Sequence, residues 1–245
     1  RMLDMGFYDD IMKIVSYLPQ KRQNLLFAAT MPDKMRKLAK NVLNDPVEVN
    51  IAISKPAEKI LQVAYVVYEN QKTPLVKHVL SNPDLQSVIV FCSRKSSAHQ
   101  LARELKSIKH SVEEIHSDLT QEQRQKTLMR FRNRQLTVLV ATDVISRGID
   151  VENIELIINY DVPTDGEDYI HRIGRTARAE KDGVAITFIS ESDQRYFQQI
   201  ENLLGKEIFK SPLPPAIGKG PEYNPKSRKG SYQKKGKPYG KKKRR

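Results

Sequence analysis

Read for hydrophobic pattern, the chain from residue 62 onward alternates short apolar runs with longer amphipathic stretches. QVAYVVY, SVIVFC, SVEEIH, LTVLVA, IELIINY and GVAITFI are strand candidates. Between them lie helical periodicities over Lys72 to Leu80, Ser96 to Ile108, Thr120 to Phe131 and Asp165 to Arg172, with a further helix at Ser192 to Leu204. LTVLVA is rich in branched aliphatics and does not alternate, as expected of a strand buried on both faces of a parallel sheet. Strict β–α alternation implies one parallel sheet with right-handed crossovers. The first fifty residues hold less. Phe7, Ile11, Ile14, Val15 and Leu18 predict a helix stopped by Pro19. NLLFAA and Pro46 to Ile51 then read as strands around a helix from Pro32 to Leu43, which is short of a self-sufficient sheet.

In an open α/β sheet, ligands bind beyond the carboxyl ends of the strands, which here points to TDVISRGID after LTVLVA. Gly148 frees that turn, and Asp150 with Arg175 and Arg178 is placed to meet a nucleotide. Arg172, Arg175 and Arg178 recur every third residue, a spacing that puts them on one helical face. A planar guanidinium pairs two donors with phosphate oxygens and stays charged at any working pH. Gln121 and Arg124 form a QxxR at a helix start, where free N–H groups and the helix dipole add to the arginine charge.

Charge narrows the class further. Of a net +13, residues 211–245 carry +11, with 12 Lys and Arg against one acid, Glu222. The basic character therefore belongs to a tail, and the rest is nearly neutral. SPLPPAIGKGPEYNP brings five prolines and two glycines into fifteen residues, so disorder is expected throughout 211–245. Tyr232 and Tyr239 among the basic residues suit stacking on bases. The one cysteine, Cys92, lies in an apolar run and reads as a buried structural thiol, in keeping with a reducing, cytoplasmic setting. No apolar run approaches the roughly 18 residues of a membrane span. No metal-ligating set is read in the chain.

TDVISRGID and HRIGRTAR, in this order and separation, resemble the fifth and sixth motifs of the DEAD-box ATP-dependent RNA helicases, and the resemblance covers residues 1 to about 209. It implies a RecA-like C-terminal lobe at 61–210, preceded by the tail end of a first RecA-like lobe at 1–52 and a linker at 53–60, and succeeded by a basic tail at 211–245. RMLDMGF resembles the segment immediately after the Asp-Glu-Ala-Asp motif, so the chain is expected to start after the carboxylates that handle Mg²⁺ and water. No GxxxxGK[ST] is present, and the fragment alone is expected to be inactive as an ATPase. FAAT stands where the family has Ser-Ala-Thr, so Ala28 replaces a hydroxyl in the segment Ala28, Ala29 and Thr30 that couples the lobes.

By the same resemblance, Arg178 is the arginine finger beside Arg175, Asp150 accepts hydrogen bonds from the ribose hydroxyls, and Arg147 and His171 bridge the lobes. VIVFCSRK resembles the fourth motif, which makes Ser93 and Arg94 candidates for the RNA backbone together with Thr142 and Asp143. ATP and Mg²⁺ are the expected ligands, Mg²⁺ held mainly by the first lobe. RNA is the expected partner, bound through sugar and phosphate with little base preference. Ribosomal or RNA-degradation complexes are expected settings, and the sequence is most similar to the bacterial RhlE-type branch. The alternative is an RNA-binding or annealing module without ATPase activity. A DNA-translocating motor shares the two-lobe plan, but the wording RGID and HRIGRTAR favours RNA.

Overall fold

The computed structural model describes residues 7–28, 31, 33–49, 60–107, 111–142, 154–176 and 183–226. The chain divides into two compact units, Arg1–Glu58 and Lys59–Arg245. In the first, α1 (Tyr8–Ser16) and α2 (Asp33–Val42) form as their spacing predicts. The strands expected at NLLFAA and Pro46 to Ile51 do not appear among the described residues. A strand exists by pairing, and no described segment of this unit offers a ladder partner. Their apolar side chains accordingly face outward, Phe27 at 89% and Val47 at 92% exposure, and only Leu38 is buried among the described residues of this unit.

The second unit is a layered α/β structure. Its elements are β1 (Ile60–Val66), α3 (Glu69–Val79), β2 (Val88–Cys92), α4 (Lys95–Lys106), β3 (Val112–Ile115), α5 (Gln121–Arg132), β4 (Val138–Thr142), β5 (Leu156–Asn159), α6 (Gly166–Ile173), β6 (Gly183–Ile189), α7 (Gln194–Leu204) and β7 (Phe209–Lys210). The seven strands order as β3-β4-β2-β5-β6-β1-β7, and every pairing is parallel. Ile60, expected in the linker, instead opens β1 opposite Gly183.

The unalternating runs are explained by position. Every residue of β2, β4 and β5 is buried, because these strands lie inside the sheet with helices on both faces. Ile89, Phe91, Leu139 and Ile157 point to the side covered by α5, α6 and α7. Val88, Val90, Val140 and Ile158 point to the side covered by α3 and α4. Each such side chain contributes about 1.5–3 kcal/mol relative to exposure.

Residues 211–226 depart from the expected disorder and lie along this unit. Ser211 N–H donates to the Ala64 carbonyl at 2.8 Å, continuing the β7–β1 edge. Gln71 Nε2 donates to the carbonyls of Ile217 and Lys219 at 3.1 and 3.0 Å. Gln194 bonds Glu222 and Asn224, and the Tyr223 hydroxyl donates to Glu201 at 2.9 Å while its ring stands edge-on to Phe197. Prolines bar a ladder here, but Leu213, Ile217 and Tyr223 give the segment apolar anchors and side-chain amides satisfy its backbone. At Gly220 an added Cβ would lie 2.1 Å from the Val66 carbonyl oxygen. Gly220→Ala is therefore expected to lift this strap, seen as faster amide exchange over 213–224 and a stability loss of about 1–3 kcal/mol.

Candidate nucleic-acid and nucleotide sites

In this order of strands, β3, β4 and β2 are neighbours, so the turns leaving their carboxyl ends share one edge of the sheet. That edge gathers most of the described RNA candidates. Ser93 and Arg94 come directly after β2 and lead straight into α4, Thr142 ends β4 opposite Cys92, and His116 to Thr120 lead from β3 into α5. Arg94 is exposed at the N-cap of α4, whereas Thr142 is buried at 6% exposure. Thr120 caps α5 by accepting from Gln123 N–H at 3.3 Å, while Gln123 Oε1 accepts from Thr120 N–H at 2.8 Å. Gln121 is thus the first helical residue and exposed. Arg124 donates through Nη2 to the Ser117 carbonyl at 2.8 Å, and its buried Nε has no acceptor among the described residues. Lys95 pairs with Asp118 across the two turns at 2.9 Å, so it spends charge that Arg94 keeps.

Arg175, the one nucleotide candidate among the described residues, goes elsewhere. α6 starts near the carboxyl end of β5, capped by the Asp165 side chain, which accepts from Glu167 N–H. It then runs back along the sheet until Thr176 forms a parallel bridge with Ile154, just before β5 begins. The Thr176 hydroxyl donates to the Ile154 carbonyl at 2.5 Å. Arg175 therefore emerges at the amino edge of the sheet, separated from Asp161 at the other edge by roughly 20 Å of strand.

The shared helical face of three arginines is also corrected. α6 ends at Ile173, Gly174 caps it, and Arg175 sits half-buried in the turn beyond. Arg172 is wholly buried: Nη1 donates to Asn159 Oδ1 at 3.1 Å and to the Asp161 carbonyl at 3.0 Å, with its guanidinium 5.2 Å from the Phe91 ring centroid. It braces α6 against β5 and β2 and presents no cation to solvent. His171 is half-buried on α6, and Ala28 is exposed in the first unit. Ala29, Thr30, Asp143, Arg147, Gly148, Asp150 and Arg178 lie outside the described residues.

One group at the carboxyl edge carries no signature of its own in sequence. Asp161 Oδ2 accepts from both the N–H and the hydroxyl of Ser93, at 2.8 and 2.9 Å, while Oδ1 faces Lys72 Nζ at 2.8 Å. Lys72 is 1% exposed and also lies 3.1 Å from Glu69 and 3.8 Å from Asp193. Burial works against the Asp161 charge, but Lys72 and Ser93 outweigh it and hold the carboxyl below its ordinary range. Burial likewise opposes the Lys72 charge, and Asp161 and Glu69 outweigh it, so its pKa rises. The signal was available: Lys72 falls on the buried face of α3 with Leu75 and Val76, where the period asks for an apolar residue.

Residues 71–180 match the model of the helicase conserved C-terminal domain. The ATP-dependent RNA helicase DbpA of Bacillus subtilis is 37% identical over 214 residues, which make up 87% of this chain and 45% of that protein. Among solved structures, S. cerevisiae Dbp5 bound to RNA and ADP BeF3 aligns with a TM-score of 0.75 at 31% identity, covering 86% of this chain and 57% of that one. E. coli DEAD-box protein SrmB, bound to regulator of ribonuclease activity A, aligns with a TM-score of 0.58 at 30% identity, covering 69% and 95%. Sheet order, edges and likeness together define the RecA-like C-terminal lobe of a helicase. The chain belongs to the DEAD-box family. It spans less than half the length of the curated relatives it matches, 45% of DbpA and 42% of a Helicobacter pylori RhpA.

Proposed function

We propose that this chain is the C-terminal part of an ATP-dependent RNA helicase that couples ATP binding and hydrolysis to local unwinding of RNA duplexes. The observation that carries this reading is the sorting of candidates onto two edges of one sheet: Ser93, Arg94, Thr142, Gln121 and Arg124 on the carboxyl side, Arg175 on the amino side. One RNA strand lies along the first edge. Arg94, the half-exposed guanidinium of Arg124 and the exposed N-termini of α4 and α5 meet its phosphates, with Thr142 and Asp143 assigned beside them. Such contacts place a strand without reading its bases.

Arg175 stands at the other edge, and the motif resemblance assigns Arg175 and Arg178 to the γ-phosphate of ATP, Gly148 to close backbone approach and Asp150 to the ribose hydroxyls. Mg²⁺ arrives with the nucleotide, held mainly by the first lobe; among the described residues no group of three or more His, Cys, Asp or Glu could hold a metal ion. Arg147, His171 and the segment Ala28 to Thr30 serve contact between lobes. ATP-driven closure bends the gripped strand and releases its complement, and hydrolysis reopens the cleft.

The basic tail adds a second, salt-sensitive hold on RNA. We place the protein in the cytoplasm and in the RhlE-type branch, the latter on RMLDMGF, a compact second lobe and a short basic tail. Work in ribosomal or RNA-degradation complexes is favoured by the ribonuclease regulator seated on SrmB. Among the described residues no helix is long and apolar enough to cross a membrane.

The test is RNA binding by the full-length protein across a salt series. Arg94→Ala and Arg124→Ala are each expected to weaken binding to unrelated RNA sequences alike and to lower the slope of log K against log salt by about one. Unchanged slopes, or loss confined to one sequence, would remove the assigned edge from RNA binding.

A further inference from the structure

We propose that the strap at 211–226 is a clasp that holds the start of α3 to the start of α7 and thereby positions the turn after β2, so that the grip on RNA depends on the strap being seated. The inference rests on the RNA-binding reading above and adds to it a control that lies two strands away, at the end of β6. The strap is fastened on both sides of the sheet. Gln71, in the first turn of α3, donates through Nε2 to the carbonyls of Ile217 and Lys219. Gln194, the first residue of α7, donates to the Glu222 carbonyl at 2.8 Å and accepts from Asn224 N–H at 2.6 Å. Between these anchors the chain crosses the carboxyl end of β1, where Gly220 lies so close to the Val66 carbonyl that a side chain has no room.

Each anchor is the sequence neighbour of a member of the buried ion cluster. Lys72 follows Gln71, Asp193 precedes Gln194, and their charged atoms face each other at 3.8 Å. Asp193 is itself held by the Ser190 hydroxyl at 2.7 Å, so the separation of the two helix starts sets where Lys72 stands between Asp193 and Asp161. Asp161 in turn takes both donors of Ser93, its N–H and its hydroxyl. The contacts thus run without a gap from the strap through Gln71 and Gln194 to Lys72, Asp161 and the turn, and the strap, seated or lifted, is the two-state member. Lifting it parts the helix starts and admits water to a lysine that is now 1% exposed. In water the pairing that keeps Asp161 on the turn is worth less, and the turn slackens. Gln71 and Gln194 act through these groups, as positioning residues.

The experiment follows amide hydrogen exchange and single-stranded RNA affinity of the full-length protein in two variants that unfasten the strap by different means. Gly220→Ala crowds the crossing and changes no charge. Gln71→Glu keeps the oxygen that accepts from Tyr68 N–H at the start of α3, but a carboxylate has no proton for the two strap carbonyls. Both are expected to speed exchange over 213–224 and also at the Ser93 N–H, and to weaken RNA binding by about two- to thirtyfold. In an Arg94→Ala background the same substitutions should cost little more, because the loss passes through that turn. Penalties that add in full would put the effect elsewhere, as in the basic tail, and overturn the proposal. Faster exchange over 213–224 with Ser93 and RNA affinity unmoved would overturn it too, as would a strap that neither substitution lifts. A wild type that binds no RNA would instead overturn the RNA-binding reading, while exchange at Ser93 still tests the clasp.

Discussion

Replacing Arg178 with alanine in the full-length protein is expected to slow ATP turnover by about 10³- to 10⁵-fold, with RNA affinity and folding retained. Phosphoryl transfer leaves little covalent work to the protein; its main need is fixed positive charge where the γ-phosphate oxygens gather charge. The described residues that lead toward position 178 are held in place. The turn after α6 closes through Arg175 N–H to the Arg172 carbonyl at 3.2 Å and Thr176 N–H to the Ile173 carbonyl at 3.1 Å, and Thr176 locks onto Ile154. Arg172, buried in the core, holds the helix from behind. A lysine at 178 should not rescue, since a point charge cannot reproduce a two-donor fork. Steady-state phosphate release checks this, and a loss below tenfold contradicts the assignment.

The second large effect concerns stability. Lys72→Met leaves Asp161 charged and buried without its cation, and breaking such a pair costs about 3–5 kcal/mol. At roughly 2–4 °C per kcal/mol for a unit of this size, the melting temperature should drop by about 6–20 °C. The double variant with Asp161→Asn should recover much of this, because no lone charge remains. The pH dependence comes from both partners. Asp161 is depressed, so its contribution is full above the unfolded carboxylate value of about 4 and is lost as pH falls through the lower folded value. Lys72 is raised, so its contribution is full below the unfolded lysine value and is lost as pH climbs past the higher folded one. Melts across pH should show the wild type with a broad plateau between these limits. In Lys72→Met the acid limb should move upward, since burial then raises the Asp161 pKa against the Ser93 hydrogen bonds alone.

Much of the second unit was legible because parallel sheets write themselves into sequence. β2, β4 and β5 are buried on both faces and read as unbroken apolar runs, and the helices between them keep their period. Strand order was not legible. Alternation says that strands are parallel, not that β3, β4 and β2 adjoin, and it is that adjacency which joins Ser93, Thr142 and Arg124 on one edge. The every-third spacing of arginines misled because Gly174 ends the helix before Arg175, leaving Arg172 inside the core. The strap at 211–226 was hidden by its prolines, which rule out a strand but not anchoring through Tyr223, Ile217 and Gln71. NLLFAA carries a strand's composition without a described partner to pair with.

The most direct test of the two-edge account is ATP hydrolysis by the full-length protein as single-stranded RNA is titrated in. The account predicts turnover that rises with RNA to a plateau. Arg94→Ala and Arg124→Ala should need more RNA to reach that same plateau, and Arg178→Ala should stay flat at every RNA concentration. Hydrolysis indifferent to RNA, or a plateau lowered by Arg94→Ala and left intact by Arg178→Ala, would contradict it.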